Sequence, residues 1–206
     1  MTVIVDYGVG NLFSLKSSLS FIGVDAVVSG EPEIIKNADR ILLPGVGAFT
    51  DAREKLTVNS LDEVIIQEAK KGKPLMGICL GMQMLFERSY EYGITEGLAL
   101  IPGEVRHIAT IIPMGYKVPH IGWNSLQMGD RRKKSKLFEL ISEGDYVYFV
   151  HSYSGMDCDE SVTATADYGA PLTAAVERDN VFGMQFHPEK SGNVGLKILR
   201  AFCEIN

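Results

Sequence analysis

The chain has 206 residues, of which 46% are hydrophobic and 22% are charged, and its formal net charge is −6. This length and composition are typical of a soluble globular protein, and they predict one domain over residues 1–206. The negative charge argues against a nucleic-acid partner, and the sequence has neither an apolar run of the roughly 18 residues that a membrane span needs nor a signal peptide.

In the first ninety residues, short apolar strands alternate with segments of helical periodicity. Strands are predicted at residues 3–6, 26–29, 40–43 and 74–78. Helices are predicted at residues 12–22, 61–71 and 80–89, with a short one opened by Glu31-Pro32-Glu33. This βαβα alternation favours a parallel sheet with helices on both faces.

The second half of the chain is rich in predicted β-structure. Strands are predicted in EVRHIA, VPHIGWNSL, YVYFVHSY and SVTATADYG. The segment PLTAAVERDNVFGMQF predicts a hairpin with a turn at Asp179-Asn180, and a closing helix follows Gly192. Because no repeat and no linker interrupts the sequence, we predict one α/β domain.

Two further features bear on compartment and partners. The basic run at residues 131–134, with Lys136 close behind, is interpreted as a solvated loop. The three cysteines, Cys79, Cys158 and Cys203, are odd in number and far apart. They do not form a disulfide framework, which predicts a reducing, cytoplasmic location.

Cys79 lies between Gly77 and Gly81, where a predicted strand meets a predicted helix. Gly-x-Cys-x-Gly is the cysteine version of a nucleophile elbow, a strained turn that leaves no room for neighbouring side chains. The positive end of the helix favours a thiolate there, and the N–H of Leu80 is left to bind an oxyanion. The alternative is that Cys79 is a small buried core residue.

A thiolate nucleophile needs a base, and the chain has four histidines. His187 follows an apolar strand, and Pro188 restricts it to extended backbone, so the carboxylate of Glu189 can fold against its ring. This arrangement suits the base and the orienting acid of a triad. The alternative is an incidental His-Pro-Glu surface turn. Of the other three, His107 is interpreted as a surface or structural histidine, and His120 and His151 each fit a satisfied strand histidine.

A second glycine-rich loop, LLPGVGAF at residues 42–49, follows the predicted strand at 40–43. Gly45 and Gly47 free the backbone around Val46, whose N–H can turn toward a ligand. Together with the N–H of Leu80, it predicts a two-donor oxyanion hole for acyl transfer. By contrast, YGVGNLF is not a dinucleotide fingerprint, because Phe13 replaces the third glycine.

These motifs together resemble the class I, or triad, glutamine amidotransferases. GICLGMQ and the later His-Pro-Glu are common to that family. DYGVGNL, PGVGAF, PHIGWN, YFVHSY and FHPEKSG resemble, more narrowly, the glutaminase subunits of imidazole glycerol phosphate synthases. The resemblance extends from Asp6 to Gly192 and implies a flavodoxin-like α/β fold. In that fold a mixed, mostly parallel central sheet has helices on both faces, followed by a β-rich second half.

The resemblance also implies a reaction and the residues that perform it. The reaction is hydrolysis of L-glutamine to glutamate and ammonia by Cys79, His187 and Glu189, with Val46 and Leu80 as the oxyanion hole. The implied substrate-binding residues are Gly47, Gln83, Glu91, Ser152 and Tyr153. Of these, Glu91 suits the substrate ammonium by charge, and backbone groups of the last two suit its α-carboxylate. No cofactor and no metal is implied.

The implied partner is a cyclase (β/α)₈ barrel in a heterodimer, which uses the ammonia to make imidazole glycerol phosphate and AICAR in histidine biosynthesis. The implied interface residues are Asn11, Trp123, Tyr148 and Lys190. The alternative for the two aromatic residues is a place in the core. Two other functions stay open. One is a non-catalytic docking subunit with a fossil site, and the other is a stand-alone thiol hydrolase or peptidase on the same fold.

Overall fold

The computed structural model describes residues 1–129 and 135–205. Its strands are β1 (Thr2–Val5), β2 (Ala26–Ser29), β3 (Arg40–Gly45), β4 (Leu75–Cys79), β5 (Arg88–Ser89), β6 (Thr95–Glu96), β7 (Glu104–His107), β8 (His120–Ser125), β9 (Tyr146–His151), β10 (Tyr153–Met156), β11 (Val162–Asp167), β12 (Pro171–Arg178) and β13 (Val181–Met184). Its α-helices are α1 (Leu12–Phe21), α2 (Pro32–Asn37), α3 (Phe49–Thr57), α4 (Leu61–Lys70), α5 (Leu80–Met84) and α6 (Gly192–Glu204).

Within these described ranges the central sheet has seven strands in the order β11-β12-β13-β4-β3-β1-β2. The strands from β13 to β2 are mutually parallel, and β12 and β11 extend the sheet in antiparallel fashion. β12 and β13 form the predicted hairpin, and Asp179 in its turn has φ +55°. The mixed, mostly parallel sheet is therefore as the sequence predicts.

The helices cover both faces of this sheet. Along β1, Val3 and Val5 pack into a core cluster with α2, α3, α4 and α5, whereas Ile4 packs on the opposite face with α1 and α6. Alternate residues of a strand point to opposite faces, so a strand buried on both sides is apolar throughout. The prediction of helices on both faces is confirmed.

The second half of the chain adds two smaller sheets in the described ranges. One has four strands in the order β10-β7-β5-β6, and the other is the antiparallel pair β8-β9. In that pair, His120 lies opposite His151 and Trp123 lies opposite Tyr148. This register places a pair of buried histidines and a pair of aromatic residues on one β-ribbon.

The helix after Cys79 is shorter than predicted. It ends at Met84 rather than continuing to residue 89, and residues 88–89 form β5. The carbonyl oxygens of residues 84–87 accept hydrogen bonds from the N–H groups of residues 97–101. A distant segment thus takes the acceptors that the next helical turn would use, so the prediction of a helix over residues 80–89 is wrong at its C-terminal end.

Helix α3 was not predicted from the sequence. Its buried residues, Phe49, Ala52 and Leu56, have helical spacing but are few, and polar residues fill the positions between them. The weak apolar stripe explains why the periodicity did not identify it.

Two remaining expectations concern the membrane and the basic run. Across the described ranges, no helix combines the length and the apolar character required to cross a bilayer. The basic run at residues 131–134 lies outside the described residues, and Lys136 begins a 3₁₀ turn, Lys136–Phe138.

Candidate active site

Three neighbouring parallel strands bring the candidate catalytic residues to one edge of the central sheet. β3 ends at Gly45 opposite Cys79, the last residue of β4, and Met184 at the end of β13 lies opposite Ile78. His187 comes three residues after β13 ends. Because the carboxyl ends of parallel strands share an edge, segments that are far apart in sequence meet there.

Cys79 is the strained residue of the strand-to-helix turn. It has φ +55° and ψ −112°, and it is 7% exposed. A Cβ on Gly77 would lie 2.6 Å from the Gly81 carbonyl oxygen, and one on Gly81 would lie 1.8 Å from the Leu43 carbonyl oxygen. Both glycines are therefore required by close backbone approach, as the elbow motif predicts.

His187 and Glu189 form a buried pair beside Cys79. Nδ1 of His187 lies 2.9 Å from Oε1 of Glu189, and both side chains are less than 5% exposed. His187 has extended backbone, but Pro188–Lys190 form a 3₁₀ turn, so the pairing does not use a fully extended segment as predicted. Tight curvature after Pro188 still places the carboxylate against the ring.

The electrostatics of the pair favour a charged imidazole. Burial of the His187 ring favours its neutral form, but the side chains of Cys79 and Glu189 outweigh that effect and raise the pKa of His187 to about 10. An imidazolium between a thiol group and a carboxylate stabilises negative charge on either neighbour.

A cavity of about 290 Å³ opens at this edge of the sheet. Its lining includes Cys79 and His187 together with Val46, Gly47, Leu80, Gln83, Glu91, Ser152 and Tyr153. The structure thus brings together every residue proposed for the oxyanion hole and for substrate binding. Glu189 lies behind His187, outside this lining, as expected of a residue that orients the ring.

The comparisons with known proteins agree with this geometry. Residues 3–205 match the family described as "Glutamine amidotransferase class-I". The chain belongs to this family.

The curated relatives give a narrower likeness within the class-I glutamine amidotransferases. "Imidazole glycerol phosphate synthase subunit HisH" of Wolinella succinogenes is 47% identical over 207 residues, with 100% of both chains covered. The protein of the same name in Aquifex aeolicus is 48% identical over 203 residues, which cover 98% of this chain and 95% of the relative.

Solved structures confirm the amidotransferase fold. A crystal structure of a glutamine amidotransferase has a TM-score of 0.75 at 18% identity, covering 98% of this chain and 97% of that one. PurLQS from Thermotoga maritima has a TM-score of 0.72 at 19% identity, covering 98% and 96%. At such identities the likeness concerns the fold alone.

In this class-I amidotransferase the side chain of Gln83 has a defined orientation. Its Nε2 donates to the Tyr153 carbonyl oxygen at 3.0 Å and to Oε1 of Gln185 at 3.0 Å. Both amide hydrogens are thereby used, so Oε1 is the atom that Gln83 offers to a ligand. Gln83 therefore suits a substrate donor, such as an ammonium or an amide N–H.

Glu91 connects the pocket to helix α3. Its Oε2 accepts a hydrogen bond from the N–H of Phe49, the first residue of that helix, at 2.6 Å. A carboxylate is favourable at a helix N-terminus, and Glu91 also lines the cavity. This supports its predicted suitability for the substrate ammonium.

The two histidines of the β8-β9 pair are structural, in agreement with the sequence interpretation. Nδ1 of His151 lies 2.8 Å from the Tyr153 carbonyl oxygen, which requires that Nδ1 carry the hydrogen. Nε2 of His151 then accepts from Nδ1 of His120 at 3.0 Å. Burial lowers the pKa of His120 to about 4 and that of His151 to about 3, so both rings are neutral.

His107 is also structural. Its Nδ1 accepts a hydrogen bond from the N–H of Ala109 at 3.3 Å and so caps the 3₁₀ turn Ile108–Thr110. The ring packs edge-on against Tyr153, with the ring centroids 5.0 Å apart.

Two of the residues predicted to contact a partner adjoin His187: the Tyr148 carbonyl oxygen accepts from its N–H, and Asn11 shares the lining of a second cavity with it. Trp123 is 55% exposed, so the alternative of a core position is wrong for it. Its ring centroid is 6.1 Å from that of Tyr148, and Nζ of Lys190 lies 5.8 Å from the Tyr148 ring centroid. Asn11 caps α1 by accepting from the N–H of Ser14 at 3.4 Å.

Asn11 also lines a narrow cavity, of about 10 Å³, behind the catalytic pair. Gly45, Val46, His187 and Glu189 share this lining. Within the described part of the chain, Oε2 of Glu189 is buried without a hydrogen-bond partner.

Two buried polar residues of the site were missed by the sequence analysis. The hydroxyl of Tyr7 donates to the Pro44 carbonyl oxygen at 2.6 Å. The pKa of Tyr7 is raised mainly by burial of the hydroxyl and, to a smaller extent, by the nearby Cys79. Gln185 contacts both Gln83 and Cys79. A glutamine between Met184 and Phe186 in an apolar strand is the signal that identifies such a residue.

In the part of the chain that the structure describes, no group of three His, Cys, Asp or Glu side chains is arranged to hold a metal ion.

Proposed function

We propose that this chain is the glutaminase subunit of an imidazole glycerol phosphate synthase, hydrolysing L-glutamine to glutamate and ammonia. The observation that carries the proposal is the buried His187–Glu189 pair beside the strained Cys79 on the rim of one cavity. Full-length identity of 47% to a HisH subunit supports the narrower part of it.

In the first half-reaction, the Cys79 thiolate attacks Cδ of the glutamine side chain. The carbonyl oxygen becomes an oxyanion, to which the N–H groups of Val46 and Leu80 donate; loss of one such donor typically costs roughly 10²–10³ in rate. Since Glu189 occupies Nδ1 of His187, the proton for the departing nitrogen comes from Nε2. The C–N bond breaks, ammonia leaves, and a γ-glutamyl thioester remains on Cys79.

In the second half-reaction, His187 is neutral after giving up its proton and can act as a base. It takes a proton from water, the resulting hydroxide attacks the thioester carbonyl, and the C–S bond breaks. Glutamate leaves, while the thiolate and the imidazolium are restored. Glu189 orients the ring throughout and stabilises its charge.

Substrate recognition follows from the polarity of the cavity lining. Oε1 of Gln83 and the carboxylate of Glu91 are acceptors for the substrate ammonium. Backbone groups of Ser152 and Tyr153 line the same cavity and are proposed to meet the α-carboxylate. An L-amino acid would then extend its side-chain amide toward Cys79.

The proposal includes a partner and a location. Ammonia released into solvent at neutral pH becomes ammonium, so a cyclase (β/α)₈ barrel bound beside the cavity would receive it directly. The exposed Trp123 and Lys190 both lie beside the half-buried Tyr148, and this cluster suits such a contact. The three cysteines are free thiols, which supports a cytoplasmic location.

The test is glutamate formation from glutamine by the chain mixed with a purified cyclase subunit. We expect glutamate to form, and the complex of the Cys79→Ala variant to form product only from added ammonium salts. Absence of glutamate would indicate a docking subunit. Turnover that does not depend on the cyclase would indicate a stand-alone thiol hydrolase. Retained glutamine-dependent turnover in Cys79→Ala would remove Cys79 as the nucleophile.

A further inference from the structure

Gln185 is a fully buried polar residue at the centre of the candidate site. It follows β13, has 0% exposure, and precedes His187 by two residues. Its N–H donates to the Ala174 carbonyl oxygen at 2.9 Å, which fixes its backbone against β12. The proposed mechanism gives it no role.

The orientation of the Gln185 amide follows from its neighbours. The Tyr153 carbonyl oxygen can only accept, so the atom of Gln83 that lies 3.0 Å from it must be the Nε2 donor. The same Nε2 lies 3.0 Å from Gln185, so the atom of Gln185 that it meets is Oε1. Nε2 of Gln185 therefore faces the other way, 3.8 Å from Sγ of Cys79.

The orientation is fixed twice, because the Tyr153 carbonyl oxygen accepts from His151 as well as from Gln83. Two buried donors therefore fix the Tyr153 carbonyl group in place. This carbonyl sets the orientation of the Gln83 amide, which in turn sets that of the Gln185 amide next to the sulfur of Cys79. The result is an N–H dipole directed at Cys79 from a fully buried side chain, and a hydrogen bond from such a position is stronger than in solvent.

We propose that Gln185 is a further functional residue of the glutaminase site, whose side-chain amide donates to Sγ of Cys79 and stabilises the thiolate before attack. The inference rests on the proposed role of Cys79 as nucleophile. As the γ-glutamyl thioester forms, the negative charge leaves sulfur and the donor loses its charged acceptor. When the C–S bond breaks, the same donor stabilises the departing thiolate.

Other charged and titratable groups face the same sulfur. His187 interacts with it from the segment after β13, and Tyr7 lies beside it after β1. His151 on β9 and Glu91 after β5 line the same cavity. All of these remain when Gln185 alone is replaced, so the contribution of Gln185 is separable from theirs.

The experiment is the pH dependence of Cys79 alkylation by iodoacetamide, followed on the Cys79 peptide by mass spectrometry. Gln185→Met keeps the length of the side chain but removes the donor. We expect the midpoint of the alkylation profile to rise by about half to one pH unit, since the net contribution of a typical hydrogen bond is on that order. Ser154→Ala removes an equally buried hydroxyl that does not line the cavity with Cys79, and it is expected to leave the midpoint unchanged.

An unchanged midpoint in Gln185→Met would overturn the proposal. If that variant does not fold, Gln185→Glu replaces the N–H donor with a carboxylate of nearly equal size. Because a carboxylate does not donate to the thiolate and repels it, this variant is expected to raise the midpoint further. A measurement on the unaltered chain provides an independent check: the side-chain amide resonance of Gln185 should move as Cys79 ionises and stay fixed in Cys79→Ala. A resonance that moves equally in both would also overturn it. Neither assay needs glutamine turnover or a cyclase, so this inference and the proposed function can fail separately.

Discussion

The backbone of Cys79 has φ +55°, a conformation that costs a residue other than glycine about 1–3 kcal/mol. The surrounding packing holds it there, because Gly77 and Gly81 approach neighbouring backbone too closely for any side chain. The reactive backbone conformation of Cys79 therefore depends on the two glycines that flank it. His187 and Glu189 complete it through a single short contact.

Glu189→Gln tests that contact. Glutamine has nearly the same shape but no charge, so the imidazolium of His187 loses its charged partner and its preferred orientation. We expect turnover of glutamine in the complex to fall by roughly 10²–10⁴, while the base and the oxyanion hole leave residual activity. Steady-state kinetics would measure this, with Glu54→Gln at an exposed position of α3 as the control. Unchanged turnover would mean that Glu189 does not act as the orienting acid of the triad.

The raised pKa of His187 predicts how stability depends on pH. The folded value is about 10, above the value of about 6.5 for an unfolded histidine, so the folded state binds the proton more tightly. This contribution is fully present below pH 6.5 and is lost as the pH rises through about 10. We expect the loss in unfolding free energy caused by His187→Gln to be largest near pH 6 and to shrink toward pH 10. Urea denaturation at several pH values would measure it, and a constant difference would contradict the shifted pKa.

The sequence was sufficient to identify the residues whose type and spacing indicate a catalytic role. It was not sufficient for residues whose role depends on contacts with distant parts of the chain. Cys79 stood out because two glycines flank it, and Glu189 because Pro188 separates it from a histidine. Tyr7 has no such local pattern, and the apolar neighbours of Gln185 indicate burial but not the residues it contacts. Their importance comes from hydrogen bonds across more than thirty residues of sequence, to Cys79 and Pro44, which only the folded chain reveals.

At the scale of elements, the oxyanion loop after β3 differs from its sequence interpretation. Gly45 was expected to be a flexible neighbour of Val46, but it is the last residue of β3 and is paired with Cys79. A Cβ there would lie 2.8 Å from the Gly81 N atom and 2.9 Å from the Tyr7 hydroxyl oxygen. Gly45 thus serves close packing. Gly47, with φ +93° and open space around it, provides the freedom of the loop.

Alanine at these two glycines should therefore have different effects. Gly45→Ala forces the elbow away from β3, and we expect it to cost about 1–3 kcal/mol of stability, as overpacking does. Gly47→Ala strains only the loop, so we expect a small change in Tm but a large loss of glutaminase kcat in the complex, with KM for glutamine little changed. Thermal unfolding and steady-state kinetics would separate them. Equal losses of stability would contradict the distinction.

The alternation of strands and helices was predictable because each buried element carries its own apolar period. The end of α5 was not, since the carbonyl groups of residues 84–87 are taken by a segment that begins ten residues later. Helix α3 was not predictable either, because its few buried residues identify a helix only once the core that they pack against is known. Periodicity identifies elements that carry a strong apolar face, whereas long-range hydrogen bonds decide where they end.

At the scale of the whole molecule, Val46 connects two parts of the surface. It lines the main cavity with Cys79, and it lines the narrow cavity behind the triad with Asn11 and Glu189. Val46 is 41% exposed, and Asn11 is among the residues proposed to face the cyclase. A partner that contacts Asn11 would therefore lie close to one of the two oxyanion donors.

This placement predicts that the chain is nearly inactive alone and is activated by its loaded partner. The peptide between Gly45 and Val46 can present either the Gly45 carbonyl or the Val46 N–H to the oxyanion, with the open position at Gly47 absorbing the accompanying backbone change, and only the second arrangement stabilises negative charge. A partner that favours the N–H arrangement by about 4 kcal/mol would raise the rate about 10³-fold. The measurement is the glutaminase rate of the isolated chain, of the complex, and of the complex with the acceptor substrate bound to the cyclase. We expect the three rates to increase in that order, with Gly47→Ala reducing the last step most. Three equal rates would rule out a switch in this loop, because the partner would then exert no differential effect on its two arrangements.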